Sequence, residues 1–582
     1  MQVTDNIRNT VRMVILTGLL LVPAFYAMGT AIDLEYSWLK RAAYLLTVLT
    51  LLAIPALLLK ARTYFLAEGI LNFLFFPIDI ASLHLNRQST STVFLQNIFE
   101  TNLSEATELL RSSWLPATGV IVLWVVYFAI AVRVDNRRLF SWRVTRIILY
   151  SAGGLLVTGI AAMVILLTRF HAERDIKSTL SEAAGLVWVK LYKIYPYNLY
   201  IETADLLQMR RNRRQLQQQV ATFRFGIEPV QREDPELYIL VIGEAARYDH
   251  FGINGYERNT TPLLAQQQLT SYEHVYTQAN VTAQSLPMIV TRANATHIER
   301  AYSEKGITEA FQEAGFKTGW LTKQVPYPFV DRIMRTCDYS RFYAKGFDVD
   351  NNYDGEMVTD LHGYIEDTLQ FFVLHSLGCH FRYEQRYPKC FEHFTPVLGQ
   401  SFSYSMLKEE NKQMLVNAYD NAILYTDYFL SELIGYADSL NRAAVVLYVA
   451  DHGESFWDDE RKLSLHSSYQ VSEYEYHVPM FVWCSEEYCN RYPEKIAAIR
   501  RNSRTPITTA AVFHSLLDAA GISSAVDSTL SICSYSLHAV DTIDVIAGSG
   551  QQVRWMPPTR SRQQRQTRRK NYQTIIDKLL QI

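Results

Sequence analysis

The stretch AAVVLYVADHGES (443–455) decides how the rest of the chain is read. Its first eight residues are an unbroken apolar run rich in Val and Ala, the pattern of a strand buried on both faces. The run stops at Asp451-His452-Gly453-Glu454. Charged groups at the end of a buried strand cost stability unless something satisfies them. Asp and His are both metal ligands, whereas a lone Asp-His-Gly also serves as an ordinary turn, so the choice rests on what other segments bring to the same place.

Further apolar runs precede and follow it: LYILVIG (237–243), GFKTGWLT (315–322), FFVLHSLG (371–378) and VPMFVWC (478–484). Helical segments alternate with them, the longest being NKQMLVNAYDNAILYTDYFLSELIGYADSL (411–440). Alternation of this kind predicts an α/β domain with a largely parallel sheet between helices. Such sheets bind ligands beyond the carboxyl ends of their strands. Glu244 follows one run, His375 lies in another that leads on to His380, and Asp451 and His452 end a third. Glu244, Asp451 and His452 therefore form a plausible three-ligand set. Thr282 precedes AQSLPMIV, a helical first turn. Its hydroxyl either caps that helix or supplies a fourth oxygen, activated as a nucleophile by a metal.

The first ~170 residues have a different composition. Apolar blocks occupy 14–32, 42–59, 64–85, 117–132 and 147–167, and about 20 apolar residues span a bilayer. Five spans are expected. The third contains Glu68, Asn72 and Asp79, which must face other helices or water. Arg133, Arg137, Arg138, Arg143 and Arg146 place the loop between spans four and five in the cytoplasm, as do Arg8, Arg12, Lys60 and Arg62 in their own segments, against Lys40 and Arg41. Everything after ~168 is then extracytoplasmic. All six cysteines lie there, where disulfides persist, and Cys379–Cys390 and Cys484–Cys489 are the most local pairings. The expected organisation is a transmembrane domain (1–168) with an extracytoplasmic helical loop (~86–115), a connector (169–234), a catalytic domain (235–550) and a basic tail (551–582). The connector carries an RRNRR cluster at 210–214, suited to anionic headgroups or to plain solvent.

Taken together, GEAARYDHFGINGYERNTTP (243–262), TAQSLP (282–287), YDNAILYTDYFL (419–430) and DHGES (451–455) resemble the phosphoethanolamine transferases of Gram-negative inner membranes, members of the alkaline phosphatase superfamily. The resemblance covers nearly the whole chain. It implies a sulfatase-like catalytic domain in the periplasm and a multi-pass inner-membrane anchor. It implies zinc on Glu244, Thr282, Asp451 and His452, with Thr282 as the nucleophile that carries phosphoethanolamine. His375 and His380 match an HxxxxH pair, and His466 matches the histidine after DHGES. His380 and His466 are expected to bind substrate phosphate, protonate the leaving oxygen or hold a second zinc. Asn97, Thr101 and Glu105, at four-residue spacing on one predicted helix face, match residues that meet the lipid substrate. The implied donor is phosphatidylethanolamine and the implied acceptor is lipid A or the lipopolysaccharide core, with no role for nucleic acid. Two departures stand out: Met288 replaces a cysteine that many relatives have after the nucleophile-segment proline, and no Gly-Pro follows His380. The alternatives are a glycerol phosphate transferase of the lipoteichoic acid synthase type, a membrane-anchored sulfatase or phosphatase, and an inactive scaffold.

Overall fold

The computed structural model describes residues 2–31, 38–74, 76–87, 89–100, 114–147, 150, 195–324, 327–343, 353–399 and 406–556. The chain divides into two compact units, one of Met1–Phe99 and Thr107–Met209, the other of Glu100–Ala106 and Arg210–Ile582.

The N-terminal part is helical: α1 (Gln2–Thr30), α2 (Trp38–Leu58), α3 (Ala61–Phe73), α4 (Phe76–Asn86), α5 (Thr92–Glu100) and α6 (Trp114–Ala131), followed by the connector helix α7 (Tyr197–Val220). Among the described residues one helix, Asp5–Thr30, is long and apolar enough to cross a membrane. Ala61–Phe73 and Phe76–Leu83, bent by 42°, meet that test together, and Tyr44–Leu58 and Thr118–Ala131 are shorter apolar helices. The fifth apolar block, 147–167, lies almost wholly outside the described residues. The polar residues of the third block are buried and satisfied locally, as a low-dielectric setting requires. Asn72 Nδ2 donates to Glu68 Oε2 at 3.1 Å. Asp79 Oδ1 accepts from Thr90 N and Thr90 Oγ1 at 3.0 Å and from Asn198 Nδ2 at 3.2 Å.

The second unit is built on a seven-stranded sheet: β1 (Glu236–Gly243), β2 (Leu269–Ser271), β3 (Lys317–Thr322), β4 (Tyr339–Phe342), β5 (Gln370–His375), β6 (Ala443–Ala450) and β7 (Met480–Cys484), in the order β2-β7-β6-β1-β5-β3-β4. Strands β6, β1, β5, β3 and β4 are mutually parallel, β7 pairs antiparallel with β6 and β2 antiparallel with β7, so the sheet is mixed with a parallel core. β1 and β6 are buried at every position, as their unbroken apolar runs require. Two further helices matter to the site: α8 (Thr282–Val290) and the 28-residue α10 (Lys412–Ser439), with α9 (Ile307–Glu313) between them in sequence. Gln552–Trp555 pairs antiparallel with Ile543–Ile546, so ordered structure continues past 550.

The expected disulfides are not formed: all six cysteines are free thiols. Cys379 is buried and donates its N–H to Glu244 O, whereas Cys390 sits on the exposed turn Lys389–Phe391. Cys489 Sγ donates to the Cys484 carbonyl at 4.0 Å.

Away from the sheet ends, His514 is buried and its Nδ1 accepts the Asp527 N–H at 3.0 Å, which requires a neutral ring. Burial pushes this imidazole down to about 4. The unfolded chain binds the proton near 6.5 and the folded chain does not, so stability is full above pH 6.5 and is lost as pH falls towards 4. Between pH 7 and pH 5 the loss from this residue is on the order of 2 kcal/mol. His514→Gln keeps an acceptor for Asp527 N–H and is expected to reduce the acid loss by that amount, measured by denaturant unfolding at the two pH values. An unchanged acid loss would show that His514 is not the group responsible.

Candidate active site and metal centre

Register brings the predicted ligands together. In the β1–β6 pair Gly243 is opposite Ala450, and in the β1–β5 pair Ile242 is opposite His375. The chain therefore leaves three neighbouring parallel strands at one level. Asp451 N donates to Gly243 O and Ser376 N to Ile242 O, both at 3.0 Å, and these bonds carry the sheet order one residue into the loops. Glu244, Asp451 and His452 converge there, buried, with one ligand atom from each within 4.8 Å of the others.

Thr282 joins them. It is the first helical residue of α8 and not its cap, since the cap position is Val281 in an extended conformation. The Thr282 hydroxyl donates to Glu244 Oε2 at 3.1 Å and lies 3.3 Å from His452 Nε2. His452 Nδ1 lies 2.9 Å from Gly453 O, so Nδ1 carries the proton and Nε2 presents a lone pair to the centre. Nε2 is also 3.4 Å from Glu244 Oε1 and 3.6 Å from Asp451 Oδ2. Those two carboxylate oxygens are buried without any hydrogen-bond partner. Lone pairs thus face lone pairs in a buried centre, an arrangement that a bound cation or a proton reconciles. One imidazole nitrogen, two carboxylates and an alcohol are a four-donor set that zinc accepts. Without a cation, burial and then Asp451 push the Glu244 carboxyl well above its usual range, and a dication reverses that preference.

Several residues that sequence patterns did not single out hold this set in place. Gln324, in the loop after β3, donates from Nε2 to Glu244 Oε2 at 2.6 Å and to Ser376 O at 3.0 Å. Ala245 has φ +52°, a left-handed conformation that non-glycine residues seldom adopt. It is clamped on both sides: its N–H donates to Asp451 Oδ1 at 3.1 Å and its carbonyl accepts Tyr419 OH at 2.7 Å. At Gly378, φ is +44° and a Cβ would meet Glu244 N at 2.9 Å. At Gly453 a Cβ would meet Tyr474 O at 2.1 Å. Both glycines let backbone pass where a side chain would displace the ligands. The motif on α10 proves structural. Besides Tyr419, its Asp420 takes hydrogen bonds from Tyr256 and Arg258 and pairs with His250, and its Asp427 accepts the N–H groups of Leu263 and Leu264.

Glu475 is the second hub. It is fully buried, and three site loops meet on its carboxylate. Oε2 accepts Asn280 Nδ2 at 2.7 Å and Ser468 N at 3.2 Å, and Oε1 accepts Ser455 Oγ at 2.8 Å. Asn280 is two residues before Thr282, Ser455 follows Asp451-His452-Gly453-Glu454, and Ser468 is two residues after His466.

The predicted histidines take distinct places. His466 is about one-quarter exposed, stacks on the His452 ring at 4.3 Å between centroids, and has Nδ1 3.3 Å from Glu454 Oε1. Burial and then His452 push it down to about 3. His380 is half-buried, and burial followed by Arg386, which donates to the His380 carbonyl at 3.1 Å, pushes it down to about 3. His375 is buried, with Nδ1 3.3 Å from Thr322 Oγ1 and Nε2 without a partner. Buried ligands thus form a floor, and the partly exposed Thr282, His380 and His466 form its open side. His477 stacks on Tyr248 at 4.1 Å and bonds to Glu273 O at 2.9 Å, an ordinary packing role. Of the residues predicted to meet lipid, Asn97 falls within α5, and Thr101 and Glu105 lie outside the described residues.

The Glu475 hub makes a sharp prediction. Glu475→Ala strands the Asn280 and Ser468 donors, at about 1–3 kcal/mol each, and frees the nucleophile loop. It is expected to lower the melting temperature and the zinc retained after dialysis. Glu475→Gln keeps one oxygen for Asn280 and Ser468 and donates its amide to Ser455 Oγ, so it is expected to restore most of both. Melting curves and metal analysis of the two variants check this, and equal behaviour of Ala and wild type would remove Glu475 from the account.

The sulfatase family matches residues 236–522. The Escherichia coli Kdo(2)-lipid A phosphoethanolamine 7''-transferase is 30% identical over 277 residues, covering 46% of this chain and 47% of that protein. Phosphoethanolamine transferase EptA of Salmonella typhimurium is 29% identical over 46% of this chain and 50% of its own length. The chain therefore spans about half the length of these curated relatives. Among solved structures, the integral membrane lipooligosaccharide phosphoethanolamine transferase A of Neisseria meningitidis superposes with a TM-score of 0.66 at 19% identity, covering 90% of this chain and 98% of that one, a likeness of fold. Residues 236–522 match the sulfatase family, and the chain that carries them is similar to phosphoethanolamine transferases.

Proposed function

We propose that this chain is a zinc-dependent transferase that moves phosphoethanolamine from phosphatidylethanolamine to lipid A or the lipopolysaccharide core. On this reading it sits in a Gram-negative inner membrane through five spans, with the second unit in the periplasm. The observation that carries it is the Thr282 hydroxyl, 3.1 Å from Glu244 Oε2 and 3.3 Å from His452 Nε2 beside two unpartnered carboxylate oxygens. The names of the curated relatives supply the transferred group.

Glu244, Thr282, Asp451 and His452 would hold the zinc. When bound, zinc supplies a Lewis acid that lowers the pKa of the threonine alcohol and offsets charge on the phosphoryl group. Thr282 Oγ attacks phosphorus, a P–Oγ bond forms and the bond to the diacylglycerol oxygen breaks. The hydroxyl proton leaves towards Glu244 Oε2, its hydrogen-bond acceptor. The departing oxygen takes a proton from an imidazole on the open side, His380 or His466. Glu454 orients His466 through Nδ1, leaving the other ring nitrogen for substrate. In the second step an acceptor hydroxyl attacks the same phosphorus and gives its proton to that imidazole, while the P–Oγ bond breaks and Thr282 Oγ regains its proton from Glu244. Asn97, Thr101 and Glu105 are proposed to meet the lipid donor. Both substrates are lipids, which gives the apolar N-terminal part its purpose.

The test is peptide mass spectrometry of the full chain incubated in phosphatidylethanolamine nanodiscs. Phosphoethanolamine is expected on Thr282, and Thr282→Ala is expected to abolish transfer by about three orders of magnitude or more. Glycerol phosphate on Thr282 from a phosphatidylglycerol donor would favour the lipoteichoic acid synthase-like reading instead. Rapid hydrolysis of a soluble sulfate ester with no threonine adduct would favour a sulfatase.

A further inference from the structure

A cavity of about 550 Å³ lies in the second unit away from the metal-ligand set, lined by the end of α7 and by α9 with its neighbours. Three cations line it: Arg224, Lys305 and Arg332. Two carboxylates do as well, but both are committed to the backbone. Glu309 Oε2 accepts Gly306 N–H at 2.8 Å, capping α9, and Glu313 accepts Phe225 N–H at 3.0 and 3.3 Å, fixing the exit from α7. Arg332 reaches Glu309 through Nη1 at a long 3.4 Å, while its Nη2 is buried with no hydrogen-bond partner. Neither Arg224 nor Lys305 has an ion pair or side-chain hydrogen bond among the described residues.

This is an unusual balance for a cavity wall. A buried guanidinium nitrogen left without an acceptor costs roughly 1–3 kcal/mol. Burial accordingly pulls Arg332 below the usual guanidinium range despite Glu309. What the wall lacks is an acceptor bearing several oxygens and negative charge, which a planar guanidinium grips with two parallel bonds. The volume suits a headgroup-sized ligand. Arg224 and Ala221 are exposed, so the cavity opens at the end of α7. On α7, Arg213 and Arg214 lie four and three residues before the lining Gln217, hence one turn back on the same face. Basic side chains thus lead along the connector helix into the cavity.

We infer that this cavity binds a phosphate-bearing anion, held by Arg332 and Lys305 with Arg224 at the mouth. The chemistry is shared by an anionic phospholipid headgroup and by a soluble phosphate, and it stands apart from the transfer reaction.

The test uses the full chain, stripped of metal with a chelator so that the Thr282 centre does not compete. Radiolabelled inorganic phosphate is titrated by equilibrium dialysis against wild type and Lys305→Gln/Arg332→Gln. At least tenfold weaker binding by the variant, with its melting temperature unchanged without phosphate, supports a site for soluble phosphate. In parallel, both proteins are placed in nanodiscs of phosphatidylethanolamine with 20% or no phosphatidylglycerol, a composition chosen to vary charge alone. A thermal shift caused by phosphatidylglycerol in wild type and lost in the variant assigns the site to a lipid headgroup. If wild type and variant respond alike in both arms, or wild type responds in neither, the inference is wrong, whatever the outcome for transfer at Thr282.

Discussion

Two carboxylate oxygens, Glu244 Oε1 and Asp451 Oδ2, are sealed from water and accept nothing. Much of the second unit's architecture follows from bringing them together. A buried carboxylate normally recruits an arginine or a set of N–H donors. Here the nearest nitrogen, His452 Nε2, is deprived of its proton by the Gly453 carbonyl bond on the other side of the ring. The fold spends a fully buried parallel sheet, in register at β6, β1 and β5, to hold groups that repel one another. A proton or a cation between them relieves that repulsion, so an ion bound there would couple its binding to the order of the loops.

The surrounding residues divide the remaining labour. Every hydrogen-bond donor around the centre that could quench a carboxylate is turned to a different oxygen: Gln324 and Thr282 take Glu244 Oε2, while Ala245 N and His452 N take Asp451 Oδ1. One oxygen of each acid is used to orient it and the other is kept free. The strained φ at Ala245 is the local cost, held by Tyr419 from α10. Glu475 works at one remove, gathering the loops of Asn280, Ser455 and Ser468 with neutral donors only, so it adds no positive charge that would compete with the ion.

What the sequence made legible follows from locality. Unbroken apolar runs ending in charged residues marked β1 and β6, and through them Glu244, Asp451 and His452, because a strand end and its side chain are adjacent in the chain. Thr282 was ambiguous between cap and ligand, since that distinction depends on whether its backbone is the last extended or the first helical residue. Gln324 and Glu475 were invisible: each acts on a partner 80 to 195 residues away, and nothing in TKQV or SEYEY reports it. The cysteine pairings failed for the complementary reason. Closeness in sequence was taken for closeness of sulfur atoms, whereas Cys379 is tied by its backbone to Glu244 beneath the site and Cys390 is carried out to the surface. The sheet is mixed because β7 returns antiparallel beside β6, a turn of topology that apolar runs alone do not encode.

The histidines complete the electrostatic argument. His380 and His466 are both held far below their usual range, by burial first and then by Arg386 at His380 and by His452 at His466. At neutral pH they are therefore uncharged, and the open side of the site carries no fixed cation of its own from these rings. On the proposed reading, a phosphodiester arriving there would bring negative charge that raises both imidazoles and makes each ring a better proton carrier. Water alone does not provide that charge. On the proposed reading, the burial that keeps both rings neutral thus ties proton delivery to the presence of a phosphate ester in the site.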